Sequence, residues 1–208
     1  SWQAYVDSSL MAGGALAQAC MIGRQNAAVW GQTPGFGYVN AVRHHDTCSC
    51  YLLLTHLLCV VSSLLQPKQY EAQITQEDGS EVTKTVNEAA DLPVYANTQQ
   101  KTPNGFRING VKYTTVRTYK NNEFGDFVVY GAKGVRYRDT IVHRDNNPHF
   151  PSRLVLFVIK TQSGVCMVVT KQCIIIGTWD KKVNPNHIAA TCNSTCENLG
   201  KYLMGMNY

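Results

Sequence analysis

The chain opens with a spacing of apolar residues that is typical of a short amphipathic helix. Val6 and Leu10 lie four residues apart, so they share one helix face and are predicted to pack on a core. Ser1 is a suitable N-cap, and no helix-breaking residue precedes Gly13. Trp2 and Tyr5 lie three residues apart at the helix start. Their rings are either ordinary core packing or part of a binding surface.

Short apolar runs separated by polar turns predict a series of strands. Residues 18–23 and 27–32 are two such runs, and the turn 24–26 joins them. Residues 70–85 alternate apolar and polar positions around an Asp-Gly turn, which predicts a β-hairpin followed by a short helix over 86–91. A second hairpin is predicted over 103–117, because Asn-Gly at 109–110 separates two apolar runs.

The next strand of the main sheet has two candidates in the pattern. Either 126–130 or 154–160 can precede the strand predicted over 165–170. We favour 154–160, because a short Gln-Ser-Gly segment then runs directly into 165–170. A tight turn leads from there into the last strand, over 173–179.

A helix from about His187 to Met206 is predicted to end the chain. Leu199, Tyr202, Leu203 and Met206 recur at the spacing i, i+3, i+4 and i+7. This spacing predicts that the four side chains form the core-facing side of the helix.

Residues 48–65 are the most apolar segment of the chain, with a narrow polar stripe that includes Thr55 and His56. Three interpretations remain open. We favour a helix buried against the domain or a partner. The segment is also near the lower length limit for a membrane span. The third interpretation is sequence with no counterpart in the working protein, such as a retained intron.

Composition indicates a globular protein. With 208 residues, of which 44% are hydrophobic, one domain can bury a substantial core. No charged region precedes the first apolar run, so we expect no signal peptide and a cytoplasmic location. The cysteines are scattered through apolar runs, as at Cys20, Cys166 and Cys173. This distribution predicts buried free thiols in a reducing compartment.

The sequence predicts neither an enzyme nor a cofactor. It has no Gly-rich phosphate loop, no serine in a nucleophile elbow and no obvious pair of carboxylates. Cys48 and Cys50 lie near three histidines (His44, His45 and His56), but this spacing fits no standard zinc pattern, so no metal site is predicted. The protein is therefore expected to act by binding.

Charge is segregated along the chain, whose formal net charge is +5. Residues 107–144 hold eight Lys or Arg against three acids, whereas residues 71–91 hold six acids against one Lys. A basic region attracts acidic protein surfaces or anionic lipid headgroups such as those of phosphoinositides. No nucleic-acid-binding motif is present, so nucleic acid is not a predicted partner.

The order of the terminal elements resembles the profilin family. The matching pieces are SWQAYVDSSLM at 1–11, ACMIG at 19–23, the hairpin to AVWGQ at 28–32, and a last helix with Tyr202-Leu203 and a final Tyr208. The sequence of these pieces is most similar to that of protozoan profilins. The acidic hairpin predicted over 70–85 resembles the extra arm of apicomplexan profilins.

This resemblance implies an α+β fold. It has a central antiparallel β-sheet, with the N- and C-terminal helices on one face and short helices on the other. Since known profilins are shorter, residues 1–208 are expected to form a single profilin-like domain with insertions at about 35–83 and 120–152.

The resemblance also implies two binding sites. A groove for proline-rich peptides, such as those of formin-type assembly factors, falls on Trp2, Tyr5, Trp30, Tyr202, Leu203 and Tyr208. A surface for monomeric actin falls on Ile108, Lys112, Thr115, Arg117 and Asn193, with Lys171 as a looser candidate.

The resemblance implies a protein of the actin cytoskeleton that regulates actin polymerisation. The match is incomplete, because residues 181–187 lack the usual glycines and the start of the last helix departs from the common pattern. The alternative is a profilin-fold adaptor that binds proline-rich or lipid partners but actin only weakly.

Overall fold

A computed structural model of the protein describes residues 1–36, 69–75, 80–100, 106–133, 137–141, 155–159 and 162–208. The apolar segment 48–65 and the histidines and cysteines near it lie outside these residues. The first helix, α1 (Trp2–Tyr5), continues as a π-helix over Val6–Met11. The other helices in the described residues are α2 (Glu88–Thr98) and α3 (Ala189–Gly205). In the described part of the chain, no helix is both long and apolar enough to cross a membrane.

Eleven strands are described. They are β1 (Gln18–Gly23), β2 (Val29–Gln32), β3 (Gln69–Thr75), β4 (Glu81–Asn87), β5 (Phe106–Ile108), β6 (Val111–Asn122), β7 (Gly125–Lys133), β8 (Tyr137–Ile141), β9 (Val155–Ile159), β10 (Ser163–Val169) and β11 (Cys173–Asp180). Seven of them form one antiparallel sheet in the order β2-β1-β11-β10-β7-β6-β5. The pairs β3–β4 and β8–β9 form two separate two-stranded sheets.

The middle strands of the central sheet are buried on both faces, whereas much of β6 is exposed. Side chains of a strand alternate between faces, and in β11 Ile174 and Ile176 pack with α2 while Ile175 packs with the terminal helices. Val6 and Leu10 are fully buried on that second face, as their spacing predicts. The predicted α+β architecture, with the terminal helices together on one face, is confirmed.

The preference for 154–160 as a strand of the central sheet is wrong. The strand between β6 and β10 is β7, whereas β9 pairs with β8 and with no other described strand. The reason is local, because the side chain of Asn122 accepts hydrogen bonds from the backbone N–H groups of Phe124 and Gly125, both at 3.0 Å. This turn folds β6 back into β7. The central sheet therefore continues through Lys133, well inside the insertion expected at about 120–152.

The acidic hairpin predicted over 70–85 is present as β3 and β4, although the tip of its turn lies outside the described residues. The prediction of a helix over 86–91 starts two residues too early and ends seven residues too early, because α2 spans Glu88–Thr98. Asn87 caps α2 by accepting from Ala90 N at 3.2 Å, and the helix continues through Pro93 to Thr98.

A buried carboxylate attaches this hairpin to the central sheet. Glu88 accepts a hydrogen bond from the Tyr70 hydroxyl of β3 and another from Gly110 N at 2.8 Å. Gly110 lies in the predicted turn between β5 and β6, where Asn109 and Gly110 both have positive φ, 52° and 78°. One side chain thus joins β3, α2 and the central hairpin.

The core face of α3 differs in part from the prediction. Leu199 and Leu203 are buried, but Tyr202 and Met206 are 51% and 49% exposed. The buried stripe is completed by Cys196 and Cys192, about one and two turns before Leu199. A buried free cysteine behaves as a small hydrophobic residue, and this rotates the stripe away from Tyr202.

Close packing at one glycine sets the distance between α3 and the sheet. A Cβ on Gly200 would lie 2.4 Å from the carbonyl oxygen of Phe124 in the β6–β7 turn. A Cβ on Gly205, at the end of the same helix, would meet nothing within 4 Å. An added methyl group would therefore clash at Gly200 and fit without contact at Gly205, so the same substitution can be compared at both positions.

We expect Gly200→Ala to destabilise the protein by about 1–3 kcal/mol, because overpacking against a backbone oxygen outweighs a gain of about 1 kcal/mol in helix propensity. Gly205→Ala is the control and should leave the free energy of unfolding unchanged or raise it slightly. Denaturant unfolding followed by circular dichroism measures both. Equal stability of the two variants would contradict the tight contact at Gly200.

Candidate functional site

Five aromatic rings converge where the two chain ends meet the edge of the sheet. Trp2 lies at the centre, with ring centroids 4.6 Å from Trp30, 5.1 Å from Tyr208 and 5.6 Å from Tyr5. Tyr5 is in turn 6.1 Å from Tyr202. We call these five rings the aromatic cluster. The structure thus brings together the five aromatic residues predicted for the proline groove.

The side-chain amide of Gln3 holds the first helix against the sheet edge. Its Nε2 donates to Gln32 O at 3.1 Å and to Asp7 Oδ1 at 2.9 Å, and its Oε1 accepts from Gln32 N at 3.1 Å. Gly31 lets the backbone of Gln3 come close, since a Cβ there would lie 3.1 Å from Gln3 N. These contacts satisfy backbone groups of the edge strand β2 and fix the two rings of α1.

The exposure of the predicted groove residues is uneven. Four rings of the aromatic cluster are half-buried, whereas Tyr202 is 51% exposed. Leu203 is 1% exposed, so it supports the cluster from below and offers no surface to a ligand. A hydrogen bond with Tyr202 raises the pKa of the Tyr5 hydroxyl.

A second surface lies at the other end of α3. A cavity of about 590 Å³ opens between the N-terminal half of α3 and strands β6, β7 and β10. Apolar groups line part of it, among them Trp179 and Val165, and Arg117, Asn193 and Glu197 supply polar groups. We call it the sheet–helix cavity. A hollow of this kind suits an anchoring side chain of a protein partner.

Stacked and hydrogen-bonded groups hold the charged residues of this cavity. Arg117 Nη1 donates to the Tyr119 hydroxyl at 2.8 Å, and its guanidinium lies 5.7 Å from the centroid of that ring. Tyr119 packs edge-on against Tyr130 at 5.9 Å. Burial, together with a hydrogen bond donated to the Glu197 carboxylate, raises the pKa of Tyr130.

The structure does not bring all six predicted actin-facing residues together. Arg117 and Asn193 both line the sheet–helix cavity. Ile108 is fully buried in the core, so in this structure its side chain presents no surface to a partner. Thr115 is half-buried and forms a hydrogen bond with Tyr95 of α2, on the opposite face of the sheet.

The two remaining lysines lie away from the cavity. Lys112 is exposed on β6, opposite Arg107 of β5. Lys171 lies in the turn after β10, where its ammonium donates to the Asn207 side chain and its backbone N–H donates to Tyr208 O at 3.1 Å. Lys171 therefore belongs to the surroundings of the aromatic cluster.

Sequence reasoning missed several residues of the cavity, notably Val116 and Tyr119. The register of β6 against β7 shifts between Thr115 and Arg117, which leaves Val116 56% exposed. The signal was a break in the alternation of β6, where apolar positions 111 and 113 are followed by 116. Such a phase change is typical of a β-bulge, and it turns Arg117 and Tyr119 towards α3.

Several cysteines in the core have free, buried thiols. Cys20, Cys166 and Cys173 are buried and unpaired, as predicted. Cys166 and Cys192 are hydrogen-bonded to the thiol of Cys196, and burial raises the pKa of Cys166 well above its usual value. No group of side chains able to hold a metal ion occurs among the described residues.

Comparison with known proteins gives a consistent result. The family model described as Profilin matches residues 1–208. Profilin-2 of Acanthamoeba castellanii is 22% identical over 208 residues, covering 100% of this chain and 99% of its own. The crystal structure of A. castellanii profilin II matches with a TM-score of 0.53 at 22% identity, and profilin IB with 0.54 at 21%. Each covers 100% of both chains.

The Gln3 amide gives a testable expectation for the attachment of the N-terminal helix. We expect Gln3→Ala to lower the free energy of unfolding by about 1–3 kcal/mol, because two bonds to the backbone of β2 are lost. The Gln32 amide should exchange its hydrogen faster, which hydrogen-exchange mass spectrometry measures. Gln25→Ala, in the exposed β1–β2 turn, is the control. Unchanged protection at Gln32 in Gln3→Ala would contradict this role.

Proposed function

The chain belongs to the profilin family, and from this premise we propose that it binds monomeric actin and holds proline-rich partners on a second surface. In this proposal it works in the cytoplasm at the actin cytoskeleton. It delivers monomers to assembly factors of the formin type, whose proline-rich segments it binds. It thereby regulates actin polymerisation.

The observation that carries this proposal is the separation of two surfaces along one helix. Asn193 and Glu197 of α3 line the sheet–helix cavity, whereas Tyr202 belongs to the aromatic cluster. Tyr202 follows Asn193 by nine residues, a rise of about 13.5 Å at 1.5 Å per residue. Two different partners therefore have room to bind at once, which the delivery of a monomer requires.

The chemistry of the aromatic cluster suits a proline-rich peptide. A polyproline II helix is stiff, has no internal hydrogen bonds and presents flat pyrrolidine rings. Aromatic faces pack well on those rings, while indole N–H and phenol O–H groups donate to the free peptide carbonyls. Trp2, Trp30 and the three tyrosines supply both kinds of group within one connected patch.

The sheet–helix cavity supports actin as the second partner less strongly. A cationic Arg117 at its rim favours an acidic protein surface, and the exposed Val116 favours an apolar anchor. Only two of the six residues expected to face actin line this cavity. This dispersal favours the alternative function, an adaptor of the profilin fold that binds proline-rich or anionic lipid partners but actin only weakly.

The proline groove predicts a specific loss of binding. We expect Trp2→Ala to weaken binding of a proline decamer by about 30-fold or more, because Trp2 contacts three other rings and sits at the centre of the patch. Isothermal titration calorimetry measures the affinity. Tyr119→Ala is the control, because it removes an exposed ring outside the aromatic cluster, and it should bind the proline decamer as tightly as the parent protein does. Equal affinities of Trp2→Ala and the parent would rule out the groove.

The actin surface predicts an effect of charge reversal. We expect the parent protein to lower the mass of filaments that sediment from a fixed actin pool, and Arg117→Glu to need about 10-fold more protein for the same effect. Lys84→Glu, on the exposed face of β4, makes the same charge change outside the cavity and is the control. If the parent leaves filament mass unchanged while still binding the proline decamer, the adaptor function replaces the actin-binding one.

A further inference from the structure

A second cavity adjoins the aromatic cluster. It has a volume of about 490 Å³ and lies between the π-helix and α3, lined by Tyr5, Ser9, Thr195, Asn198, Leu199 and Tyr202. We call it the interhelical cavity. Tyr5 and Tyr202 belong both to this cavity and to the aromatic cluster. A peptide lying on the cluster therefore reaches the cavity without crossing a barrier of other side chains.

The dimensions of the interhelical cavity match a short stretch of extended peptide. Its α3 wall is formed by residues at the spacing i, i+3, i+4 and i+7, from Thr195 to Tyr202. Seven residues of α-helix rise about 10 Å. A polyproline II helix advances about 3.1 Å per residue, so the wall accommodates about three of its residues.

The lining of this cavity differs chemically from the aromatic cluster. Away from Tyr5 and Tyr202 it offers hydroxyl and carboxamide groups, and no charged side chain lines it. Ser9 and Asn198 are exposed at the mouth of the cavity, and their side chains form no hydrogen bond with any other described residue. By contrast, the neighbouring Ser8 and Ser194 donate to backbone carbonyls of their own helices, at 2.6 and 3.1 Å.

We propose that the interhelical cavity is a second subsite of the proline-rich peptide surface, and that it receives an uncharged amide side chain, such as glutamine, next to the proline run. This proposal rests on the proposed function of the aromatic cluster. The Asn198 carboxamide has donors and an acceptor, which an amide complements and a proline ring does not. The lining residues supply no charge with which a charged side chain could pair, so the hydrogen-bonding groups of the cavity favour an uncharged one.

Two peptides test this subsite. Each has a run of about eight prolines, long enough to form a polyproline II helix, and is flanked at both ends by glutamines in one peptide and by alanines in the other. Glutamines at both ends present an amide in either chain direction. We expect the parent protein to bind the glutamine-flanked peptide about 3- to 10-fold more tightly in calorimetric titrations, the gain expected from one or two hydrogen bonds.

A matched pair of double variants locates the effect. Ser9→Ala with Asn198→Ala should abolish the preference while leaving the affinity for the alanine-flanked peptide unchanged. Ser8→Ala with Ser194→Ala changes exposed residues of the same two helices outside the cavity and should keep the preference. Trp2→Ala should weaken the binding of both peptides to a similar extent.

The outcomes separate this proposal from the one on which it rests. If the parent binds both peptides with equal affinity, or if the Ser9 and Asn198 double variant keeps the preference, the subsite is overturned and the proline groove stands. If the parent binds neither peptide, both proposals are overturned.

Discussion

Burial of the middle strands of the central sheet on both faces is the constraint on which the rest of this structure depends. The terminal helices cover one face and α2 covers the other, so strands such as β10 and β11 expose almost no side chain. A sheet covered in this way has few side chains left for binding. Partners must be met at the sheet edge, along the covering helices, or where a strand leaves regular geometry.

Both candidate surfaces arise at such places. The aromatic cluster forms where the edge strand β2 meets the two chain ends, and the Gln3 amide fixes that meeting by bonding the backbone of Gln32. The sheet–helix cavity forms where the bulge at Val116 breaks the alternation of β6. Backbone features thus create each surface, and the side chains give it its chemistry.

The contacts along α3 show how one helix serves both surfaces. Its buried stripe, from Cys192 to Leu203, packs on the sheet, and Gly200 brings it within contact of the β6–β7 turn. Because that stripe is narrow, the flanking residues are free to face outward. Asn193 does so at one end and Tyr202 at the other. Rotation of the helix by a fraction of a turn would alter both surfaces together.

The sequence by itself determined the elements that carry strong local signals. Apolar runs, the Asn109-Gly110 turn and the helix spacing of Val6 and Leu10 predict structure from a few neighbouring residues. The convergence of the aromatic residues was also foreseeable, although only through the resemblance of the chain ends to a known family.

Only the tertiary structure decided which strand joins the main sheet and which predicted residues face a partner. Two apolar runs were candidates and the pattern favoured 154–160, yet β7 takes the place because the turn at Asn122 folds it onto β6. Ile108 and Arg117 lie in the same predicted hairpin, yet one is buried in the core and the other lines a cavity. The pairing of strands and the side of the sheet on which a residue lies depend on contacts between residues distant in sequence. Local periodicity does not encode these contacts.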